Sequence, residues 1–262
     1  MANMTSSIAA AAVAAELGAA QFDEILPLVE HYRDDPRVQV VKACQRALKR
    51  HEKEAAERTR VDEMYERLAE FGGDGVVLGV DEVGRGSVAG PLTVCAVQLP
   101  ATPHIWGLND SKKLSPAKRE ALSVRICDEA LAVGIAHIEP AVIDDIGMAA
   151  AMRLAVQTAV KNSGVEPDCV LMDGNPLHAH PAEKNIVKGD ALIASIAAAS
   201  IVAKVTRDDL MCQYAEEYPQ YHLAECKGYA SAEHIAAIKK YGLSDIHRAS
   251  FCGNFLETER LF

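Results

Sequence analysis

Four carboxylates stand beside glycines at the ends of short apolar runs, an arrangement that suits metal binding. Asp81 and Glu82 lie in GVVLGVDEVGRG, Asp173 lies in CVLMDGN, and Asp190 closes NIVKGD. Acids that end buried strands can meet above one edge of a sheet, where their charges repel one another unless divalent cations bind. The pattern therefore predicts a metal site built from these four side chains.

The type of ligand limits which metal ions can bind and which reactions they can support. Oxygen ligands alone favour a hard cation, Mg²⁺ or Mn²⁺, over zinc. Two such ions about 3.5–4 Å apart would activate a water molecule and stabilise a leaving 3′ oxygen, so phosphodiester hydrolysis suits the arrangement best. No separate His or Lys base is needed, because metal binding itself lowers the pKa of water.

The two adjacent acids need a local explanation, since an isolated Asp-Gly or Asp-Glu pair is more often only a turn. Side chains alternate between the faces of a regular strand, so Asp81 and Glu82 point the same way only at a bulge or a strand end. We expect Asp81 to be the central ligand, shared between the metals. Glu82 should reach the site from the frayed end of the strand.

The elements that must position these acids follow a region without any strand signal. Residues 1–72 show helical patterns, with one helix over about 8–32, a turn at 34–37 and a longer charged helix over 38–70. Together they predict an all-α helical hairpin as an amino-terminal extension. The glycine-rich segment 72–75 then joins it to a second domain over residues 73–262.

The second domain is predicted to be α/β, with a mixed sheet. Three β-rich runs come first, VVLGVD, LTVCAVQL and GIAHIEP, and CVLMD and NIVKGD are two further short strands. A helix should begin at Ser115-Pro116, with Ser as cap and Pro in the first position, and another should cover 141–162. The helix over 191–217 is apolar nearly all round, so we expect it to be buried.

Composition and charge bound the class of protein. With 262 residues, of which 49% are hydrophobic, the chain is long enough to bury a proper core. The net charge of −10 argues against a general nucleic-acid coat but allows a local basic groove. Residues 37–60 carry eight Lys and Arg against three acids.

The expected location follows from the amino terminus and the cysteines. No Lys or Arg precedes Arg33, so the Ala-rich start is better interpreted as a helix than as a signal peptide. No stretch is long and apolar enough to span a bilayer, and the seven cysteines form no C-x-x-C pair. We expect free thiols, a cytoplasmic location and no membrane partner.

Six segments of the chain resemble, in order, the landmarks of bacterial ribonuclease HII. They are DEVGRGSVAGP, LNDSKKLS, LMDGN, VKGDALIASIAAASIVAKVTRD, KGYAS and IHRASF. The resemblance covers about residues 76–251. The preceding hairpin is more weakly similar to the helical extension of some bacterial members.

The resemblance implies a ribonuclease H-like fold, with a mixed five-stranded sheet flanked by helices. It implies an endonuclease that needs Mg²⁺ or Mn²⁺, with two ions in the reactive complex. The implied substrates are the RNA strand of RNA–DNA hybrids and single ribonucleotides embedded in duplex DNA, cut on their 5′ side to leave 3′-hydroxyl and 5′-phosphate ends. The implied metal ligands are the same four acids, Asp81, Glu82, Asp173 and Asp190.

The resemblance also implies a set of nucleic-acid contacts, which are Gly84, Arg85, Gly86, Asn109, Ser111, Lys112, Lys113, Ser200, Lys204 and Tyr229. The Gly-Arg-Gly turn would sense the ribose, because glycines let the backbone approach the 2′-hydroxyl in the minor groove. Tyr229 would stack on the sugar at the RNA–DNA junction, and the lysines would neutralise phosphates. Ser200 and Lys204 share a helix face, so both could reach the strand backbone. Alternatively, Ser200 packs within the helix and Lys204 extends outward.

Three departures from the family pattern affect four positions. Ser87 and Val88 stand where Pro-Leu is commoner, which should soften the turn after Gly-Arg-Gly. Cys226 stands where the family more often has His, which puts one backbone contact in doubt, and Ala230 replaces the usual small turn-former or Pro. None of these changes touches the four acids.

Two other functions share part of this pattern. Ribonuclease HIII has the same fold but prefers longer RNA stretches, and it typically carries Lys in place of Arg85 and a strand-containing amino-terminal domain. A catalytically silent binder of RNA–DNA hybrids would tolerate fewer negative charges near phosphates, so the four acids count against it.

The two ends of the chain support weaker hypotheses. The basic stretch 37–60 would extend the footprint on a duplex, unless the helical arm merely packs on the domain. The terminal segment 258–262, TERLF, resembles a sliding-clamp peptide with Thr in place of Gln. Nothing in the sequence demands more than a monomer.

Overall fold

The computed structural model describes residues 8–256. The chain divides into two compact units, Met1–Asp62 and Glu63–Phe262, so the division falls inside a long helix. The last turns of that helix belong to the second unit because Leu68 packs beside Cys169 and Leu171. The domain boundary that we expect between residues 72 and 73 stays a prediction.

The first unit is built from helices. They are α1 (Ala10–Ala19), α2 (Phe22–His31) and the long α3 (Val38–Gly72), of which residues 38–62 lie in this unit. The expectation of one helix over 8–32 is wrong, because Gln21 caps a new helix. Its backbone N–H donates to the Glu24 carboxylate at 2.8 Å, and its side chain accepts from the Glu24 backbone, which forms a capping box.

Five strands form one mixed sheet in the second unit. They are β1 (Val77–Val83), β2 (Leu92–Gln98), β3 (Ala132–Ile138), β4 (Cys169–Asp173) and β5 (Glu183–Ile186). Their order across the sheet is β3-β2-β1-β4-β5. β2 pairs antiparallel with β1 and β3, whereas β4 pairs parallel with β1 and β5. This confirms the predicted α/β class and the mixed five-stranded sheet.

Eight helices accompany the sheet among the described residues. They are α4 (Pro116–Glu129), α5 (Pro140–Ile146), α6 (Met148–Asn162), α7 (Gly189–Leu192), α8 (Ala194–Glu217), α9 (Leu223–Cys226), α10 (Ala232–Tyr241) and α11 (Ala249–Leu256). Within residues 8–256, no helix is long and apolar enough to cross a membrane.

The structure corrects two expectations about these elements and confirms the start of α4. The single helix over 141–162 is two helices, because Gly147 adopts a left-handed φ of 76° between them. NIVKGD is not a strand throughout: β5 ends at Ile186, Lys188 turns left-handed, and α7 begins at Gly189. Ser115 takes the N-cap position of α4 and Pro116 is the first residue of the helix, although the Ser115 side chain makes no capping hydrogen bond.

Helices α6 and α8 cover opposite faces of the sheet. Leu78 and Val80 of β1 join a core with α6, while the intervening Gly79 faces α8. The predicted helix over 191–217 begins at Ala194, and its predicted burial is confirmed for the first ten residues, Ala194 to Ala203, whereas only Arg207 and Met211 are buried beyond them. Asp81 lies two residues beyond Gly79 and therefore on the α8 side of the sheet.

Gly79 sets how closely α8 approaches β1. An added Cβ would overlap the backbone of Ser195 and Ile196 at the start of α8. We expect Gly79→Ala to push the helix away and to lower the free energy of unfolding by about 1–3 kcal/mol, measured by urea denaturation. Gly253→Ala is the control, because its Cβ would meet open space within α11 and should be neutral or stabilising by up to about 1 kcal/mol. Equal urea midpoints for Gly79→Ala and the wild type would contradict this close approach.

Candidate active site

A cavity of about 340 Å³ opens at the carboxyl end of β1. Its lining contains all four predicted carboxylates, and the full set is Asp81, Glu82, Val83, Ser111, Lys112, Asp173, Asp190, Ser200, Lys204 and Tyr229. The parallel pairing of β1 with β4 ends at Val80 opposite Met172, while β1 continues along β2. The cavity therefore lies where β1 extends beyond its parallel neighbour.

Three of the acids come from three different elements. Asp81 lies in β1, Asp173 ends β4, and Asp190 lies in the first turn of α7. The Gly189 backbone N–H donates to Asp173 Oδ1 at 2.6 Å, which ties α7 to the end of β4. The expectation that Asp190 ends a strand is thus wrong, but the left-handed turn at Lys188 still brings it to the cavity.

The expectation that Glu82 reaches the site from a frayed strand end is wrong. β1 stays in register with β2 as far as Val83 opposite Thr93, so Glu82 is fully within the antiparallel ladder. It lines the cavity because the β4 side of β1 is open beyond Val80. Its Oε1 also lies 3.6 Å from the Arg85 guanidinium, which makes one countercharge available.

Burial and neighbouring charges raise the pKa of three of the acids. Burial, followed by the Glu82 charge, raises the pKa of Asp81 to about 8, against a lowering by the Ser200 hydroxyl. Burial also raises the pKa of Glu82, although Arg85 opposes this. The pKa of Asp190 is raised by burial and then by the Asp173 charge. A cation placed among these groups would relieve both the repulsion and the loss of hydration.

Part of the predicted nucleic-acid set borders the acids. Ser111, Lys112, Ser200, Lys204 and Tyr229 line the same cavity. Gly84, Arg85, Gly86, Asn109 and Lys113 are not among the lining residues. The structure therefore gathers half of the predicted contacts at the cavity itself.

Ser200 and Lys204 both line the cavity and both have partners within the protein, and their contact with a nucleic-acid strand stays a prediction. Ser200 is buried and its hydroxyl shares a 3.0 Å hydrogen bond with that of Ser111, so it joins α8 to the 108–115 segment. Lys204 Nζ donates to Asp208 at 2.6 Å, one turn along the same helix. Each side chain thus packs locally and also lines the cavity.

Sequence reasoning missed two buried arginines that hold the turn after β1. Arg207 donates to the carbonyls of Ala89, Pro91 and Lys227. Arg248 donates to the carbonyls of Gly90 and Arg85. A signal was available for Arg207, because a charged residue on a helix that is apolar nearly all round must find buried partners.

The turn after Gly-Arg-Gly is braced rather than softened by Ser87. The Ser87 hydroxyl donates to the Gly84 carbonyl at 2.8 Å and accepts from Arg207 at 2.8 Å. Gly84 has a φ of 83°, and an added Cβ would overlap the Arg207 side chain. The expectation of a softer turn is therefore wrong, because the hydroxyl supplies two hydrogen bonds that Pro lacks.

Comparisons with known proteins agree with the resemblance in the sequence. The family model "Ribonuclease HII" matches residues 78–254, and the model "Ribonuclease HII N-terminal domain" matches residues 10–67. The curated ribonuclease HII of Bacillus subtilis is 44% identical over 227 residues, which is 86% of this chain and 89% of that protein.

Two solved structures share the fold. The ribonuclease H2 of Pyrococcus horikoshii OT3 matches with a TM-score of 0.57 at 25% identity, over 70% of this chain and 99% of that one. Bst-RNase HIII, solved in complex with Mn²⁺, matches with a TM-score of 0.55 at 18% identity, over 70% of this chain and 69% of that one.

The raised pKa of Asp81 has a consequence for stability in the presence of a chelator. Its folded-state pKa of about 8 exceeds the unfolded value of about 3.9, so the folded protein binds the additional proton across that interval. The free energy of unfolding should therefore fall as the pH rises through this range. Asp81→Asn should remove this loss and be the more stable protein at pH 8 by about 1–2 kcal/mol, measured by urea denaturation with EDTA.

The difference between variant and wild type is the quantity to plot. Other titrating groups, such as His247, whose pKa burial lowers to about 4, cancel in that difference. Asp145→Asn is the control, because Asp145 is exposed and lies outside the cavity lining, so its removal should not stabilise the protein at pH 8. If the difference in the free energy of unfolding between Asp81→Asn and the wild type does not change with pH, the raised pKa of Asp81 is refuted.

Proposed function

This chain belongs to the ribonuclease HII family and is a ribonuclease H endoribonuclease, and we propose that it cuts on the 5′ side of single ribonucleotides embedded in duplex DNA. We propose two-metal-ion hydrolysis that leaves 3′-hydroxyl and 5′-phosphate ends. One observation carries the proposal. The four carboxylates line a single cavity together with Lys112, Lys204 and Tyr229, which are groups suited to a phosphate backbone and a sugar.

The proposed metal ligands are Asp81, Glu82, Asp173 and Asp190. The donors fit Mg²⁺ or Mn²⁺ because all of them are carboxylate oxygens, and no His or Cys lines the cavity among residues 8–256. In the described part of the chain, no three His, Cys, Asp or Glu side chains already stand close enough together to hold an ion. Binding would therefore draw the carboxylates inward, against a repulsion that the ions themselves would remove.

The chemistry that the ions would supply is activation of water and neutralisation of charge on the leaving 3′ oxygen. The protein's own residues would orient the strand. Lys112 and Lys204 would neutralise phosphates, and Tyr229, with 40% of its surface exposed, offers a ring on which a sugar can stack. The turn at Gly84-Arg85-Gly86 would present its backbone to the 2′-hydroxyl that distinguishes RNA from DNA.

The rival functions are less well supported. Arg85 stands where ribonuclease HIII typically carries Lys, and the match of residues 10–67 to the ribonuclease HII amino-terminal domain favours type HII. A silent hybrid-binding protein would gain from losing the clustered acids, because they repel phosphates when no cation is bound.

Replacing Asp81 tests the enzyme against the silent binder. On a duplex with one internal ribonucleotide, Asp81→Asn should reduce cleavage by about 10³-fold or more, because removing a metal ligand costs several kcal/mol of transition-state stabilisation. Binding measured with Ca²⁺ or chelator should be unchanged or tighter, since one negative charge is gone. The wild type should cut with Mg²⁺ or Mn²⁺ but not with chelator, and the cut should map 5′ of the ribonucleotide.

Asp145→Asn serves as the matched control, since it removes the same charge from an exposed site and should cut like the wild type. Cleavage by Asp81→Asn at the wild-type rate would overturn the proposed site. Cleavage only within long RNA stretches would favour ribonuclease HIII-like specificity.

The basic stretch 37–60 contains a stripe of exposed cations on α3. Lys42, Arg46, Lys49 and Lys53 are exposed and spaced by four, three and four residues, so they share one helix face. The stripe spans about 16 Å of helix at 1.5 Å per residue. No ion pair holds these four among residues 8–256, so they are available to phosphates.

The other four cations of the stretch are engaged within the first unit. Arg37 pairs with Asp35, and Arg50 donates to backbone carbonyls at the carboxyl end of α1. Arg58 and Arg60 pair with glutamates of α3 itself. The hypothesis of a wider duplex footprint therefore rests on the stripe rather than on the whole stretch.

Neutralising the stripe tests this footprint without deleting any part of α3. Changing Lys42, Arg46, Lys49 and Lys53 together to Gln should weaken duplex binding and flatten its salt dependence, by up to about 0.9 in logarithmic slope for each phosphate that is no longer neutralised. Gln substitutions of four exposed cations elsewhere, Arg153, Lys161, Lys239 and Lys240, are the control for net charge. Equal slopes for the two quadruple variants would leave the stripe without a role in binding.

Two partner predictions stay predictions. The segment TERLF, which resembles a sliding-clamp peptide, lies outside the described residues. The expectation of a monomer is likewise untested.

A further inference from the structure

A pair of buried histidines lies directly behind Tyr229. His234 in α10 and His247 before α11 are almost completely buried, and their Nε2 atoms are 3.1 Å apart. His234 Nδ1 lies 2.9 Å from the carbonyl oxygen of Tyr229. At the other end of the pair, His247 Nδ1 lies 3.1 Å from the backbone nitrogen of Ser244 and 2.9 Å from its hydroxyl.

These contacts allow only one arrangement of protons when both rings are neutral. A backbone N–H can only donate, so Ser244 makes His247 Nδ1 an acceptor and places the ring proton on Nε2. That proton is donated to His234 Nε2, so the proton of His234 must be on Nδ1. His234 therefore donates to the Tyr229 carbonyl, and the chain of hydrogen bonds runs in one direction from Ser244 to Tyr229.

The environment keeps both rings in the neutral state that this chain needs. Burial lowers the pKa of His247 to about 4, with a further lowering by His234. Burial also lowers the pKa of His234, although the bond to the Tyr229 carbonyl opposes this. The Tyr221 ring packs edge-on against both histidines and helps to exclude water from them.

The backbone on the other side of Tyr229 is held just as firmly. The backbone N–H groups of Val88 and Ala89 both donate to the Gly228 carbonyl. Gly228 has a φ of 79°, and a Cβ there would overlap the Ala89 carbonyl. The turn after β1 therefore binds the Gly228 carbonyl and the histidine pair binds the Tyr229 carbonyl, which are the carbonyls on either side of the Tyr229 Cα.

The backbone contributes to the direction of the Tyr229 ring. Tyr229 is 40% exposed, and the Arg207 guanidinium lies 5.7 Å from the ring centroid. Because the peptide groups on both sides of its Cα are held, the point from which the ring projects into the cavity is fixed.

We propose that His234 and His247 are positioning residues that aim the Tyr229 ring at the substrate through the relay Ser244–His247–His234–Tyr229. The inference rests on the proposed function, in which Tyr229 contacts the sugar at the RNA–DNA junction. The relay links α10 and the 244–248 segment to the cavity, although neither histidine lines it.

The first test separates positioning from simple core packing by combining substitutions with Tyr229→Ala. His234→Ala should lower kcat/KM on the single-ribonucleotide duplex by about 10- to 100-fold, since a misplacement of about 1 Å can cost about 10²-fold. In the Tyr229→Ala background, His234→Ala should lower kcat/KM by less than about twofold, because the two residues act as one unit. Additive losses would overturn the relay, as would wild-type activity of Tyr229→Ala.

Conservative variants guard against misfolding. His234→Asn keeps an amide N–H near Nδ1 for the Tyr229 carbonyl but loses the hydrogen bond from His247, so its kcat/KM should lie between those of the wild type and His234→Ala. Tyr221→Phe is the matched control, because it removes a buried hydrogen bond to the Gly242 carbonyl in the same cluster without touching the relay. It should lower the urea midpoint but not kcat/KM. A loss of activity that instead followed the urea midpoint across all variants would overturn positioning.

A second measurement needs no substrate and therefore separates this inference from the proposed function. Long-range ¹H–¹⁵N spectra of the full chain should show His234 with its proton on Nδ1 and His247 with its proton on Nε2. A proton on Nε2 of His234 would overturn the relay even if the enzyme cuts as proposed. If the wild type fails to cut the duplex, the proposed function fails, and the spectra still decide whether the relay exists.

Discussion

The mutual repulsion of carboxylates inside one cavity is the constraint on which the rest of this site depends. Burial and neighbouring charges raise the pKa values of Asp81, Glu82 and Asp190 together. Such a cluster costs folding free energy, which cations bound at the proposed metal site would recover. The fold provides the location by letting β1 run on along β2 after its pairing with β4 has ended.

Buried hydrogen bonds hold the turn after β1, which lies next to the acids. Arg207 and Arg248 place fully buried guanidinium groups against backbone carbonyls of the turn after β1. A buried cation without such partners would be strongly destabilising, so each arginine fixes the carbonyls that it needs. Ser87 adds the hydroxyl that links Arg207 to Gly84. The ribose-facing turn of the proposed function is therefore held from inside the protein, while its outer surface remains free for a duplex.

The distribution of charge separates two tasks. Acidic groups are gathered in the cavity of the second unit, whereas the exposed cations Lys42, Arg46, Lys49 and Lys53 are gathered on one face of α3 in the first. A net charge of −10 thus hides a local basic surface. Long-range attraction to phosphates and metal-assisted chemistry can then be supplied by different parts of one chain.

The sequence by itself determined the α/β class, the family and which four acids line the cavity, because glycine-flanked acids after apolar runs are local patterns. It misjudged the strand at Asp190 and the helix break at Gln21, where a left-handed Lys188 and a capping box override the apolar pattern. Only the tertiary structure decided that Arg207 braces the turn and that His247 reaches Tyr229 through His234. Arg207 reaches a carbonyl 118 residues away, and the Tyr229 carbonyl that His234 contacts is likewise a backbone group, which has no signature in the sequence. The two histidines meet through their side chains, and that contact depends on how α10 packs against the segment before α11.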